Sequence, residues 1–266
     1  MKGYVKCIIA GAIILGIGIA VLLVALAVNG WKFAPNIEFE TQEFTATEKN
    51  TALSVNLDAG SLKIEYLEEG EEIQISYPVA NGFETTITEK DGKLSIESNK
   101  HHWYTFAWGA TIPETTVKIP KDIVEDVKIY VNSGTVDMVG GKYNKVDITV
   151  NAGTVNVGEI SECYSFSVKL NAGTVKAISG VSADNFTCKI NAGSAHISRI
   201  TTLSGEIELN AGSASISFTG KNEDYSTHVK VSAGSCTGIY TNSNNNYVKR
   251  ISVTVSAGSC NVNFLG

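Results

Sequence analysis

Val150-Asn151-Ala152-Gly153-Thr154-Val155 is one copy of a phrase that recurs down the second half of the chain: an apolar residue, Asn or Ser, a small residue, Gly, Ser or Thr, then a small apolar residue. Other copies run over 131–136, 170–175, 190–195, 209–214, 231–236 and 255–260. Their glycines, Gly134, Gly153, Gly173, Gly193, Gly212, Gly234 and Gly258, are separated by 19, 20, 20, 19, 22 and 24 residues. A self-similar period near 20 residues is the mark of a stacked repeat, in which each unit buries its apolar face only against its neighbours.

The residues around the phrase say what each unit is. Val146, Ile148 and Val150 alternate with polar residues, as do Phe166, Val168 and Leu170, then Phe186, Cys188 and Ile190. Period two is the signature of a strand with one buried face. Gly tolerates positive φ and Asn bonds its own neighbouring backbone, so the Asn-Ala-Gly triplet reads as a corner between two short strands. The fold class expected is therefore all-β: a single-stranded parallel β-solenoid, or β-helix, with each strand paired to its equivalent in the next rung. Parallel crossovers are right-handed in nearly all cases, so a right-handed coil is expected, with a left-handed one the open alternative. Stacking aligns Asn132, Asn151, Asn171, Asn191 and Asn210 into a ladder, and the hydroxyls after the glycines into another.

Upstream, Leu57-Asp58-Ala59-Gly60-Ser61-Leu62 is one further copy, 74 residues before Gly134, so the coil starts early and is interrupted. Residues 73–79 read as a strand, 83–89 and 94–98 as a hairpin about Asp91-Gly92, and 116–119 as a continuation of the sheet. Residues 33–121 are thus expected to form irregular opening coils and a cap, and 122–266 the regular repeats.

The first 32 residues differ in kind. Lys2 and Lys6 precede a run from Cys7 to Val28, 22 residues without a charge. As a helix this run measures about 33 Å, against a bilayer core of about 30 Å. A cleaved signal peptide, with Ala25-Leu26-Ala27 as its processing site, is the competing reading, but its apolar region is ordinarily about 7–15 residues. The expectation is a cytoplasmic stub and N-terminal transmembrane helix over 1–32, with an extracytoplasmic domain over 33–266, the positive-inside rule setting the orientation. The localisation that follows is the cell membrane, crossed once. The exported part carries all 27 acidic residues against the 18 basic ones left after Lys2, Lys6 and Lys32, a charge of about −9 that excludes nucleic acid as a partner.

The lone N-terminal span, the copy at 58–62, the Val117-Lys118-Ile119-Pro120 phrase and the run of Asn-Ala-Gly corners together resemble the bacterial putative-adhesin family of β-strand repeat proteins. The resemblance covers most of the exported region and implies a β-solenoid on the bacterial envelope, in adhesion or envelope-stress physiology. It supplies no catalytic residues.

Chemistry-bearing constellations are sparse. Carbohydrate-cleaving β-helices need acids and bases clustered across adjacent rungs. The outward positions here are mainly Ser, Thr, Asn and Lys, and the only arginines, Arg199 and Arg250, lie 51 residues apart. No catalytic, cofactor or metal residues are therefore assigned; His101-His102 has no third ligand in the sequence. One segment departs from the repeat grammar: Trp103, Tyr104, Phe106 and Trp108 stand within six residues and read as a contact loop or as a plug on the end of the coil. Gly60 and the seven repeat glycines are assigned a structural role at the corners. Cys236 and Cys260 occupy one repeat slot, one rung apart, close enough for a disulfide although proximity does not make one. After the last corner only 261–266 remain, so the final rung is expected to be covered by a second copy or a partner strand, or by Phe264 and Leu265 folding across it. The reading is a non-catalytic, membrane-anchored envelope module with an envelope protein or a glycan as partner. A sensor or accessory subunit of a membrane complex is the alternative, and a polysaccharide-active enzyme the third.

Overall fold

The computed structural model describes residues 38–67, 72–80, 83–100, 112–121, 123–177, 179–242 and 249–266. All of these except Glu38 belong to one compact unit. The expected transmembrane span, residues 68–71 of the acidic run and the aromatic segment with Trp103, Tyr104, Phe106 and Trp108 lie outside the described residues; among those described, no helix is long and apolar enough to cross a membrane.

Fifteen strands make the unit: β1 (Glu40–Thr45), β2 (Ala52–Leu57), β3 (Leu62–Tyr66), β4 (Gln74–Val79), β5 (Phe83–Lys90), β6 (Lys93–Lys100), β7 (Thr115–Ile119), β8 (Asp126–Met138), β9 (Gly141–Val157), β10 (Ile160–Ala177), β11 (Val181–Thr219), β12 (Ser226–Val231), β13 (Ser235–Thr237), β14 (Arg250–Val255) and β15 (Ser259–Leu265). The long ones bend through corners. Residues 165–170 form a first side, 171–173 a corner, 174–177 a second side, and 160–163 a third side leading in. Pairing between rungs is parallel and in register: Phe166 lies beside Val146 and Phe186, Leu170 beside Val150 and Ile190, Gly173 beside Gly153 and Gly193. The alternation seen in the sequence becomes columns through the core. Val146, Ile148, Val150 and Val155 are fully buried. Phe166 and Phe186 stack with ring centroids 6.1 Å apart. The phenylalanine column stops at Gly205, where Phe218, Thr202 and Ile251 close over the glycine at van der Waals distance.

Inside and outside are thus set by one residue of register. Val155→Asp is expected to cost several kcal/mol, because a carboxylate in that column has no partner. Thr154→Asp, on a half-buried position among hydroxyls, is expected to cost far less. Comparing the two variants by thermal melting checks the assignment; equal Tm values contradict it.

The opening of the coil is more regular than the sequence indicates, since β2 and β3 form a full rung on β8, with Gly60 stacked on Gly134. Outside it, β6 pairs with β2 and β7 with β3, both parallel, making an outermost rung. Antiparallel strands then close this end: β5 on β6, β4 on β7 and β1 on β4. The β5–β6 turn is built on Asp91 and Gly92, both at positive φ. Glu89 fastens the cap, accepting hydrogen bonds from the Thr47 hydroxyl at 2.7 Å and the Asn50 amide at 2.8 Å.

The other end corrects the sequence reading. The last repeat in the chain is not the last rung in space. β14 pairs with β11 on one side and with β12 on the other, and β15 pairs with β11 and β13. The C-terminal repeat therefore inserts between β11 and its sequence predecessor, and the terminal rung is β12–β13. Phe264 does not fold across the end: it lies in β15 beside Phe218, and both rings pack with Tyr225. Glu208 accordingly has Thr254 as its outer neighbour rather than Lys230, the equivalent residue of the next repeat in the chain. Ile239–Asn242 covers half of the terminal edge: Thr227 and Asn242 exchange backbone hydrogen bonds at 3.0 Å, and the Thr227 hydroxyl donates to the Tyr240 carbonyl.

Candidate functional site

The eight corner glycines form a single column in the order Gly60, Gly134, Gly153, Gly173, Gly193, Gly212, Gly258, Gly234. Each has φ between +107° and +152°, the region glycine alone adopts without strain. From Gly134 onward, a β-carbon at each would collide with the carbonyl of the neighbouring glycine, so backbone meets backbone at every corner. Beside this column the amides of Asn151, Asn171, Asn191 and Asn210 each donate to the carbonyl of the preceding rung's Asn, at 2.5–2.9 Å, and Ser256 ends the row on Asn210. Both columns satisfy themselves, which makes them structural.

A surface with room for another molecule lies elsewhere, where the third side turns into the first. There the coil leaves an axial groove of about 540 Å³. Its outer wall takes one residue from each of six rungs: Glu125, Asn144, Tyr164, Asp184, Leu203 and Lys249. Successive rungs are about 4.8 Å apart. Tyr164 is 63% exposed and Leu203 44% exposed, so both present apolar surface to the groove. Lys142 and Glu162, ion-paired at 3.0 Å, hold the opposite wall together with Ser182 and Thr201.

The floor explains why the groove keeps its shape. Tyr143, Cys163, Ala183 and Thr202 point inward and are buried. The Thr202 hydroxyl donates to the carbonyls of Asp184 and Ser204, at 3.1 and 2.9 Å, and the Cys163 thiol to that of Ser165. Tyr143 donates to the Val139 carbonyl at 3.1 Å. These bonds pin the turn from inside and leave the wall residues free of the task. Burial pushes the Cys163 thiol above its ordinary range and the Tyr143 phenol far above its own, so neither supplies a nucleophile or a base at neutral pH.

Among the described residues no three His, Cys, Asp or Glu side chains converge as a metal site would require. The groove's own charges nearly cancel: Lys142 and Lys249 against Glu125, Glu162 and Asp184. The arrangement offers one aromatic face, one aliphatic side chain and a row of hydroxyl, amide and carboxylate groups. It is equipped for holding an extended, polar molecule.

Of the residues marked in the sequence, the glycines share one column, and the aromatic four lie in the segment joining β6 to β7. The groove was not legible beforehand. Its wall residues differ in type from rung to rung, and only counting back six residues from the last inward residue of each first side, to 125, 144, 164, 184 and 203, puts them in line.

Fold and groove together define a parallel β-solenoid with an axial furrow of about 540 Å³ along one edge. The model of the Toastrack DUF4097 family matches residues 50–264, and the chain belongs to that family. No curated protein matches it. Solved structures similar to it include a putative cell adhesion protein from Clostridium sporogenes, 15% identical, covering 86% of this chain and 100% of that one with a TM-score of 0.40. A putative adhesin from Bacteroides fragilis is 14% identical over 86% of this chain and 97% of its own, with a TM-score of 0.42. A putative lipid binding protein from Parabacteroides distasonis is 10% identical over 87% and 98%, with a TM-score of 0.28.

Proposed function

We propose that this protein is a non-catalytic binding module of the cell envelope, anchored by its N-terminal span with the solenoid outside, and that it holds an extended glycan along the axial groove. The observation that carries this reading is the exposed Tyr164 ring standing in a row with Asn144 and Asp184. Sugar rings present apolar faces that stack on an aromatic side chain, while their hydroxyls bond to amides and carboxylates. The near-neutral lining argues against a polyanion or a strongly basic peptide, since neither would find a compensating field. A furrow that runs along the axis across six rungs suits an extended chain rather than a compact ligand. The uncharged run behind Lys2 and Lys6 supports the anchor.

The test is binding of the full chain to an array of immobilised bacterial and host glycans. Tyr164→Ala is expected to weaken binding about tenfold or more, the loss of one stacking contact and its buried area. Its Tm should not change, because the ring is largely exposed. Absence of binding across the array, or equal binding by the variant, refutes the reading.

A further inference from the structure

The terminal rung carries chemistry that the groove does not use. Cys236 in β13 and Cys260 in β15 are register partners on neighbouring parallel strands. Backbones so paired lie about 4.8 Å apart, inside the Cα range of 4.4–6.8 Å that a disulfide accepts. Both side chains point toward the core from register-paired positions, Cys260 buried and Cys236 partly exposed, and both are free thiols. The other described cysteines have no such neighbour: Cys163 stands beside Tyr143, and Cys188 beside Val168.

We propose that Cys236 and Cys260 are a redox-modification site, closing to a reversible disulfide that staples the terminal rung to the inserted strand. Side chains stacked in parallel register sit slightly far apart for the bond, whose Cβ atoms come within about 3.5–4.5 Å. β13 is the strand that can move to close that gap, being three residues long and paired, among the described residues, with β15 alone. The strain left in the closed form keeps it easy to reduce. The cross-link also secures the weakest part of the coil, where Val231 is 40% exposed.

The co-reactant is a small-molecule disulfide. Burial pushes the Cys260 thiol up to about 12, so it does not attack first at neutral pH. Burial also raises Cys236, but its neighbour Cys260 acts in the opposite direction, and Cys236 is the partly exposed thiol that solvent reaches. The Cys236 thiolate attacks one sulfur of the oxidant, breaking its S–S bond and releasing one thiol. Cys260 then attacks the Cys236 sulfur as its proton passes to the departing thiolate, which leaves as the second thiol. Two cysteine thiols are oxidised, one oxidant disulfide is reduced, and the count closes.

The experiment uses the full chain, purified reduced in detergent and incubated with oxidised glutathione. Tryptic cleavage after Lys230, Lys249 and Arg250 places the two cysteines on different peptides. The expected result is one cross-linked pair, 231–249 joined to 251–266, with a Tm several degrees above the reduced form and reversal by dithiothreitol. Cys236→Ser, a change at a partly exposed position, should fold, form no cross-link and show no Tm response to the oxidant. No reaction, a lone glutathione adduct on Cys236, or a cross-link that leaves Tm unchanged overturns the proposal.

Discussion

Replacing Gly173 with alanine is expected to cost more than about 4 kcal/mol, enough to unfold the middle of the coil. Two penalties coincide there. The residue has φ +127°, where a side chain is strained, and the added carbon would stand well inside 3.0 Å of the Gly153 carbonyl oxygen. That oxygen is backbone, fixed by parallel pairing on both sides, and cannot retreat. Gly92 is the control: it too has positive φ, +72°, yet nothing lies within 4 Å of the position its β-carbon would take. Gly92→Ala should therefore cost only the conformational penalty of about 1–2 kcal/mol. Circular dichroism with thermal melting of both variants decides the matter. Similar losses would show that conformation alone, and not the stacked carbonyl, selects glycine at the corners.

Ending the chain after Lys249 is expected to be nearly as damaging, lowering Tm by about 10 °C or more. In a coil whose rungs follow chain order, this cut would remove only the outermost one. Here it removes β14 and β15 from between β11 and the terminal rung, with the buried side chains of Val253, Val255, Cys260 and Val262. It also takes Phe264 from between Phe218 and Tyr225. The companion variant deletes 221–249 and joins Gly220 to Arg250 through a short flexible linker. It loses β12, β13, the covering 239–242 segment and the buried Tyr225, but keeps β14 and β15 on β11, and should melt closer to the wild type. If the longer-reaching damage came from the second deletion instead, the inserted order of the rungs would be wrong.

The alternation of Val146, Ile148 and Val150, the Asn-Ala-Gly corners and their spacing were enough to determine the strands, the inward face, the parallel stacking and the shared phase of Gly60 with the later glycines. These follow from local rules, because side-chain period and the φ demanded at a corner are properties of a few consecutive residues. The hairpin about Asp91-Gly92 was legible for the same reason. The tertiary structure alone decided the order of the rungs at the C-terminal end. The repeat phrases at 231–236 and 255–260 are interchangeable as strands, so either fits beside β11, and the choice falls to contacts distant in sequence: Phe264 against Phe218 and Tyr225, and Ile239–Asn242 folded over the edge of β12. The groove belongs to the same category. Glu125, Asn144, Tyr164, Asp184 and Leu203 share no residue type and stand about 20 apart in the chain, and only the winding of the coil, one rung every 4.8 Å or so, sets them side by side.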